Sequence, residues 1–221
     1  MNLLTRPWPI VALLALFVLA AMLGGPANSV EPALMKGVAG LRAGHADLVP
    51  LVASITELGS VYATLGVTAL ASLWLLLSRL PGRALLLSIT VLIERLLVDA
   101  IKGWIGRPRP NFGVEWLPHS LAYPSGHSAN SMTAFLAAAV ILAPAERRGP
   151  WAIGALVLSF AVGLSRIALG VHWPSDVIGG WVLGLIAVGV ALWLGRRLGT
   201  LELEHQIIGR HRSALGQDEA A

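Results

Sequence analysis

In HWPSDVIGGWVLGLIAVGVALWLGRR (172–197), His172 and Asp176 form a polar head, an uncharged run extends from Val177 to Leu194, and Arg196 and Arg197 close the segment. Pro174-Ser175-Asp176 has the pattern of a helix start, because proline is tolerated in the first turn and a carboxylate suits the positive end of the helix dipole. The apolar run approaches the roughly 20 residues a helix needs to cross a bilayer. Arginines directly after it mark the cytoplasmic side by the positive-inside rule. The segment therefore reads as a spanning helix with a polar motif at its outer end.

Five further stretches read the same way: Trp8 to Gly25, Leu58 to Leu80, Ala84 to Trp104, Ser128 to Ala143 and Trp151 to Leu169. The chain is 56% hydrophobic and 13% charged, against about 25% charged in an ordinary soluble domain. The expected fold is an all-α integral membrane protein, with six transmembrane helices in one bundle and a single domain over residues 1–221. Arg79 and Arg83, Arg147 and Arg148, and Arg196, Arg197, Arg210 and Arg212 fall on alternate connections, and Arg6 precedes the first stretch. Both termini are expected in the cytoplasm. A cleaved signal peptide is the alternative for the first stretch and leaves the remaining topology unchanged. Val30 to Glu57 is the longest external connection, and Ala33, Leu34, Val38 and Leu41 recur there at the spacing of an interfacial amphipathic helix. Residues 200–221 read as a polar cytoplasmic tail.

The formal charge is +4, but the basic residues stand singly or in pairs between apolar runs, which fits membrane topology and not nucleic acid. Cysteine is absent, so disulfides and thiolate metal sites are excluded. The histidines lack the spacing of a zinc motif. No metal or cofactor is expected.

Three polar clusters interrupt the apolar background: Lys102 with Arg109 and Pro110, then Pro124-Ser125-Gly126-His127, then Ser165-Arg166 with His172 and Asp176. The first ends helix three, the second opens helix four and the third joins helix five to six. Counting spans puts all three on the outer face, where they can form one site. Ser125 occupies an N-cap position, and the free N–H groups around Gly126 and His127 make an anion site. His172 and Asp176, four residues apart, share a helical face if the turn begins early enough. Asp176 can then accept a hydrogen bond from one imidazole nitrogen, which fixes the tautomer and leaves the lone pair of the other free to attack. Lys102, Arg109 and Arg166 supply charge to match a phosphoryl group.

The patterns K-x(6)-R-P, PSGH and S-R-x(5)-H-x(3)-D thus occur in order, as Lys102 to Pro110, Pro124 to His127 and Ser165 to Asp176. Together they resemble the membrane branch of the type 2 phosphatidic acid phosphatase superfamily, over roughly Leu58 to Leu194. That resemblance implies a metal-independent phosphatase in which His172 attacks phosphorus to form a phosphohistidine and Asp176 orients it. It implies that His127 protonates the leaving oxygen and later helps activate water. Lys102, Arg109, Ser125, Gly126 and Arg166 would hold the phosphoryl oxygens, where electrostatic stabilisation dominates.

The expected function is removal of a terminal phosphate from a membrane lipid phosphate or diphosphate at the periplasmic or extracellular face of a bacterial inner membrane. Undecaprenyl diphosphate, phosphatidylglycerol phosphate and phosphatidic acid are candidate substrates. A lipid phosphotransferase using the same site, or a non-catalytic transporter or scaffold, is the alternative. The soluble vanadium-dependent haloperoxidases of the superfamily are disfavoured by six spans. Arg107 stands between a rim contact with lipid headgroups and a phosphate role. Arg95 and Asp99 are expected to pair, His119 to face solvent, and Trp104, Trp116, Trp151 and Trp173 to anchor helix ends at the interface.

Overall fold

Helix starts and stops follow local chemistry in the computed structural model, which describes residues 8–114 and 117–201. Arg6, Trp116, Arg210, Arg212 and the tail beyond residue 201 lie outside the described residues. In chain order the α-helices are α1 (Trp8–Leu23), α2 (Val30–Gly44), α3 (Val49–Glu57), α4 (Val61–Leu77), α5 (Pro81–Ile105), α6 (Gly126–Leu142), α7 (Arg148–Ala168) and α8 (Pro174–Arg197). Ser60 caps α4 by accepting from Ala63 N–H at 3.2 Å. Gly106 ends α5 at φ 67°, a left-handed conformation that costs glycine little.

Helix α6 is the centre of the bundle, packed by α4, α5, α7 and α8. Its sequence is rich in alanine and serine, and small side chains let neighbouring helices approach where no hydrophobic effect drives association. Two glycines of α8 set the closest approach. A Cβ on Gly180 would lie 2.5 Å from the Ser125 carbonyl oxygen, and one on Gly184 would lie 2.7 Å from Met132 Cβ. Met132, Leu75, Leu87, Val91 and Ile141 belong to the main buried core around α6. The outer surface is a belt of exposed apolar side chains, including Leu73, Leu77, Leu92, Leu96, Ile153 and Val157. Such a surface suits contact with lipid and not with water.

Among the described residues, three helical stretches are long and apolar enough to cross a membrane: Ala46–Leu77, Ala145–Ala168 and Pro174–Arg197. Pro9–Leu23 and Gly126–Leu142 are apolar but shorter. α5 carries Arg83, Glu94, Arg95, Asp99 and Lys102 within its length. Arg95 and Asp99 pair at 3.0 Å as the spacing predicts. Glu94 is fully buried, and neither carboxyl oxygen has a hydrogen-bond partner among the described residues.

In the Val30 to Glu57 connection the expected helix forms as α2, and a second helix, α3, follows it after a tight turn at Ala46–Leu48 and packs on α7. Arg83, expected on the connection between helices two and three, instead lies in the first turn of α5 and is buried. Its guanidinium donates to the carbonyls of Ile141 at 3.4 Å and Leu201 at 3.1 Å. The Ile141 carbonyl is one of those left over at the end of α6, and Arg83 supplies its donor while also tying down the segment after α8.

Candidate active site

The third cluster folds around the start of α8. Asp176 is in the first turn and accepts from the Trp173 N–H at 2.9 Å through Oδ2, satisfying one of the helix's free amides. The same oxygen lies 3.2 Å from His172 Nδ1. On the far side of the ring, an Arg109 N–H approaches His172 Nε2 at 2.9 Å. Arginine can only donate, so Nε2 carries a lone pair, and Nδ1 carries the proton and donates a hydrogen bond to Asp176. The tautomer follows from the two neighbours, and Nε2 faces the cationic side of the site.

The second cluster is joined to the third by main chain, because the Ser125 N–H donates to the Asp176 carbonyl at 2.9 Å. Ser125 is the N-cap of α6 but makes no side-chain capping bond. Its hydroxyl instead accepts from Ser128 Oγ at 3.0 Å. The first amides of α6, at Gly126 and His127, are therefore not capped by it and remain suited to an anion. His127 is half-buried in that first turn, close enough for its charge to act on His172.

The first cluster and Arg166 supply the cations. Arg109 spans the site by donating to the Ser120 carbonyl at 2.6 Å and the Val171 carbonyl at 2.7 Å. Burial lowers its pKa to about 10, with Asp176 opposing the shift, so it stays charged at neutral pH. Lys102 is buried and donates to the Leu121 and Ala122 carbonyls, the latter at 3.2 Å. Arg166 donates to Thr56 Oγ1 at 3.0 Å, while its Nε is buried without a partner among the described residues. Burial and then the charges of Arg109, Arg166, Lys102 and His127 hold the His172 imidazole well below its ordinary pKa. It is neutral at pH 7, the form a nucleophile needs.

Every residue singled out in the three motifs thus lies at one end of the bundle, around His172. Two other readings fail. Arg107 faces neither lipid headgroups nor the cationic pocket, since it is buried and paired with Asp176 Oδ1 at 2.8 Å. Trp173 is not an interfacial anchor. Only 3% exposed, it donates from its indole to the Pro108 carbonyl at 2.9 Å. His119 is exposed as expected. Sequence reasoning missed Glu31, Arg42 and Thr56, which reach the site from α2 and α3. Arg42 holds the loop carbonyls of Phe112 at 2.7 Å and Leu169 at 3.0 Å. Their only signal is charge or a hydroxyl on an otherwise lipid-like connection.

Similarity to known proteins covers the same core. The model of the PAP2 superfamily matches residues 82–199. Phosphatidylglycerophosphatase B of Bacillus subtilis is 30% identical over 184 residues, covering 80% of this chain and 90% of that protein. The undecaprenyl-diphosphatase of Sulfolobus acidocaldarius is 32% identical over 145 residues, 63% of this chain and 66% of that one. The crystal structure of a transmembrane PAP2 type phosphatidylglycerolphosphate phosphatase from Bacillus subtilis superposes with a TM-score of 0.79 at 28% identity, covering 85% of this chain and 96% of that one. Motif order, bundle architecture and similarity over most of the chain agree, and the chain belongs to the PAP2 superfamily.

Proposed function

We propose that this protein is a membrane lipid phosphatase that removes a terminal phosphate through a phosphohistidine on His172. The observation that carries the reading is the two-sided hold on that imidazole. Asp176 accepts a hydrogen bond from Nδ1–H, and Nε2, beside Arg109, faces a pocket of fixed positive charge. A phosphoryl group drawn to Arg109, Arg166, Lys102 and the first amides of α6 would present phosphorus to that lone pair.

In the first step the Nε2–P bond forms as the bond from phosphorus to the leaving oxygen breaks, and that oxygen takes a proton from His127. The surrounding cations oppose a charged His127, and the substrate's own negative charge offsets them. In the second step water attacks the phosphohistidine, His127 takes its proton, and phosphate leaves with His172 regenerated. Asp176 stays ionised and holds the ring throughout. Arg109, Arg166, Lys102, Ser125 and Gly126 hold the equatorial oxygens. Charge neutralisation comes from side-chain cations, and no metal is required in this scheme.

Six spans, cytoplasmic termini and a site at the outer interface complete the proposal. A headgroup is then captured at the surface while its chain stays in lipid. The names of the relatives support lipid phosphates and diphosphates as the class, with phosphatidylglycerol phosphate, undecaprenyl diphosphate and phosphatidic acid as candidates. The test is phosphate release from these three by the detergent-purified protein in EDTA, with His172→Ala as control. Histidine-dependent release in chelator supports the scheme. Release only when a lipid acceptor is added would indicate a phosphotransferase, and no release from a folded preparation would sink the enzymatic reading.

A further inference from the structure

Arg107 is the one arginine of the Lys102 to Pro110 segment that points away from the cationic pocket. Its guanidinium lies behind Asp176 and donates to Asp176 Oδ1 and Ser175 Oγ, both at 2.8 Å. The other terminal nitrogen donates to the Ala20 carbonyl at 3.0 Å and to the Ala21 carbonyl, the free acceptors at the end of α1. The Tyr123 ring covers it at 4.6 Å, and Tyr123 donates in turn to the Phe17 carbonyl. Glu31, in the first turn of α2, accepts from the Ser175 N–H at 2.7 Å, from its hydroxyl at 2.9 Å and from the Gly25 N–H. Ser175 therefore sits between Glu31 and Arg107, directly beside Asp176 in sequence.

The geometry points to Arg107 as a positioning residue for the reaction, locking the Asp176 carboxylate against His172, with Glu31 and the end of α1 locking Arg107 in turn. This rests on the phosphohistidine reading above. With Oδ1 held by Arg107 and Oδ2 shared by Trp173 N–H and His172 Nδ1, the carboxylate cannot rotate away from the ring. Arg107 also sets the charge that His172 feels. A lone buried carboxylate beside Nδ1 would favour the imidazolium, which cannot attack phosphorus. Pairing with Arg107 leaves the hydrogen bond but cancels most of that field. The other charged groups facing His172 are Arg109, Lys102, Arg166 and His127, and Glu31 reaches it only through Ser175. Residues 20–31 precede the segment that matches the superfamily model, so α1 and α2 support the site from outside that segment.

The experiment uses the full-length protein in detergent with phosphatidic acid, comparing wild type with R107M, R107K and E31Q. R107M should lower kcat by about 10- to 100-fold, as for outer-layer partners of reacting groups, with KM nearly unchanged. The acid limb of its kcat/KM profile should move to higher pH, because Asp176 then favours protonated His172. R107K keeps the charge and should restore much of kcat and the wild-type limb. E31Q should show a smaller loss of kcat with KM nearly unchanged, and it carries the test of positioning if R107M does not fold. A folded R107M with wild-type kcat would overturn the inference. So would a rise in KM alone, or equal losses in R107M and R107K with an unmoved limb. Absence of His172-dependent release from the wild type would instead defeat the phosphatase reading itself.

Discussion

The Ser125 amide and the Asp176 carbonyl, far apart in sequence, are bonded at 2.9 Å. That single main-chain link fixes the start of α6 to the start of α8, and so fixes His127 relative to His172. Gly180 lies one turn beyond Asp176, and its missing side chain leaves room for the Ser125 carbonyl. The geometry of the candidate site therefore depends on how closely two backbones approach. A substitution on α8 that touches neither histidine can test this.

Gly180→Val and Gly184→Leu should push α6 away from α8, since their Cβ atoms would meet the Ser125 carbonyl oxygen at 2.5 Å and Met132 Cβ at 2.7 Å. Overpacking of this kind costs about 1–3 kcal/mol. Thermal unfolding in detergent should fall for both, and residual activity in the folded fraction should fall further for Gly180→Val, which is nearer the site. Wild-type activity in a folded Gly180→Val protein would show that the α6–α8 approach does not set the geometry.

His172→Ala should reduce phosphate release by roughly 10⁴-fold or more, in the range seen when a nucleophile is deleted from a catalytic unit. Acid-labile, alkali-stable label from a ³²P-labelled lipid should appear on wild type in a rapid quench and be missing from the variant. Label stable to acid would point to a different nucleophile.

His127→Ala should act selectively. General acids contribute about 10²–10⁴-fold where the leaving oxygen needs a proton. A lipid monoester, which expels an alkoxide, should lose far more than a diphosphate, which expels a phosphate. Equal losses on phosphatidic acid and undecaprenyl diphosphate would remove His127 from that role.

His172 should remain neutral well into the acid range, because burial and the neighbouring cations lower its pKa. ¹⁵N NMR of histidine-labelled protein, with His172→Ala used for assignment, should show the Nδ1–H tautomer at about pH 6, below the ordinary histidine value. The same shift has a sign for stability. The unfolded chain binds this proton near 6.5 and the folded one does not, so folding stability declines as pH falls below that value. An imidazolium signal at neutral pH would contradict the arrangement.

The bundle was readable because apolar runs and basic ends are local signals. Helix ends such as Trp8–Leu23 and Gly126–Leu142 lie within a few residues of expectation. The i, i+4 pairs His172–Asp176 and Arg95–Asp99 were readable for the same reason. Arg107 was not, since its neighbours in sequence say nothing about the α1 carbonyls that draw it inward. Trp173 misled because a tryptophan at a helix end usually sits at the interface, whereas here the Pro108 carbonyl offers its indole a buried acceptor. Glu31, Arg42 and Thr56 share no spacing with the partners they bind, so only the folded chain brings them into view.

Arg166 offers a test of anion binding independent of turnover. One of its terminal nitrogens is committed to Thr56, and its Nε–H is buried with no partner among the described residues. An unpaired buried donor costs about 1–3 kcal/mol, more when charged, and an oxyanion in the pocket would satisfy it. Orthovanadate, which adopts the five-coordinate geometry of the reacting phosphorus, should therefore raise the unfolding temperature of the wild type. A ligand at 100 times its dissociation constant stabilises by about 2.7 kcal/mol, enough to read by tryptophan fluorescence. Arg166→Gln should bind vanadate more weakly and lose most of the shift, while Thr56→Val, which frees a second donor, should keep it. A full shift in Arg166→Gln would mean that the anion is held by Arg109, Lys102 and the α6 amides alone.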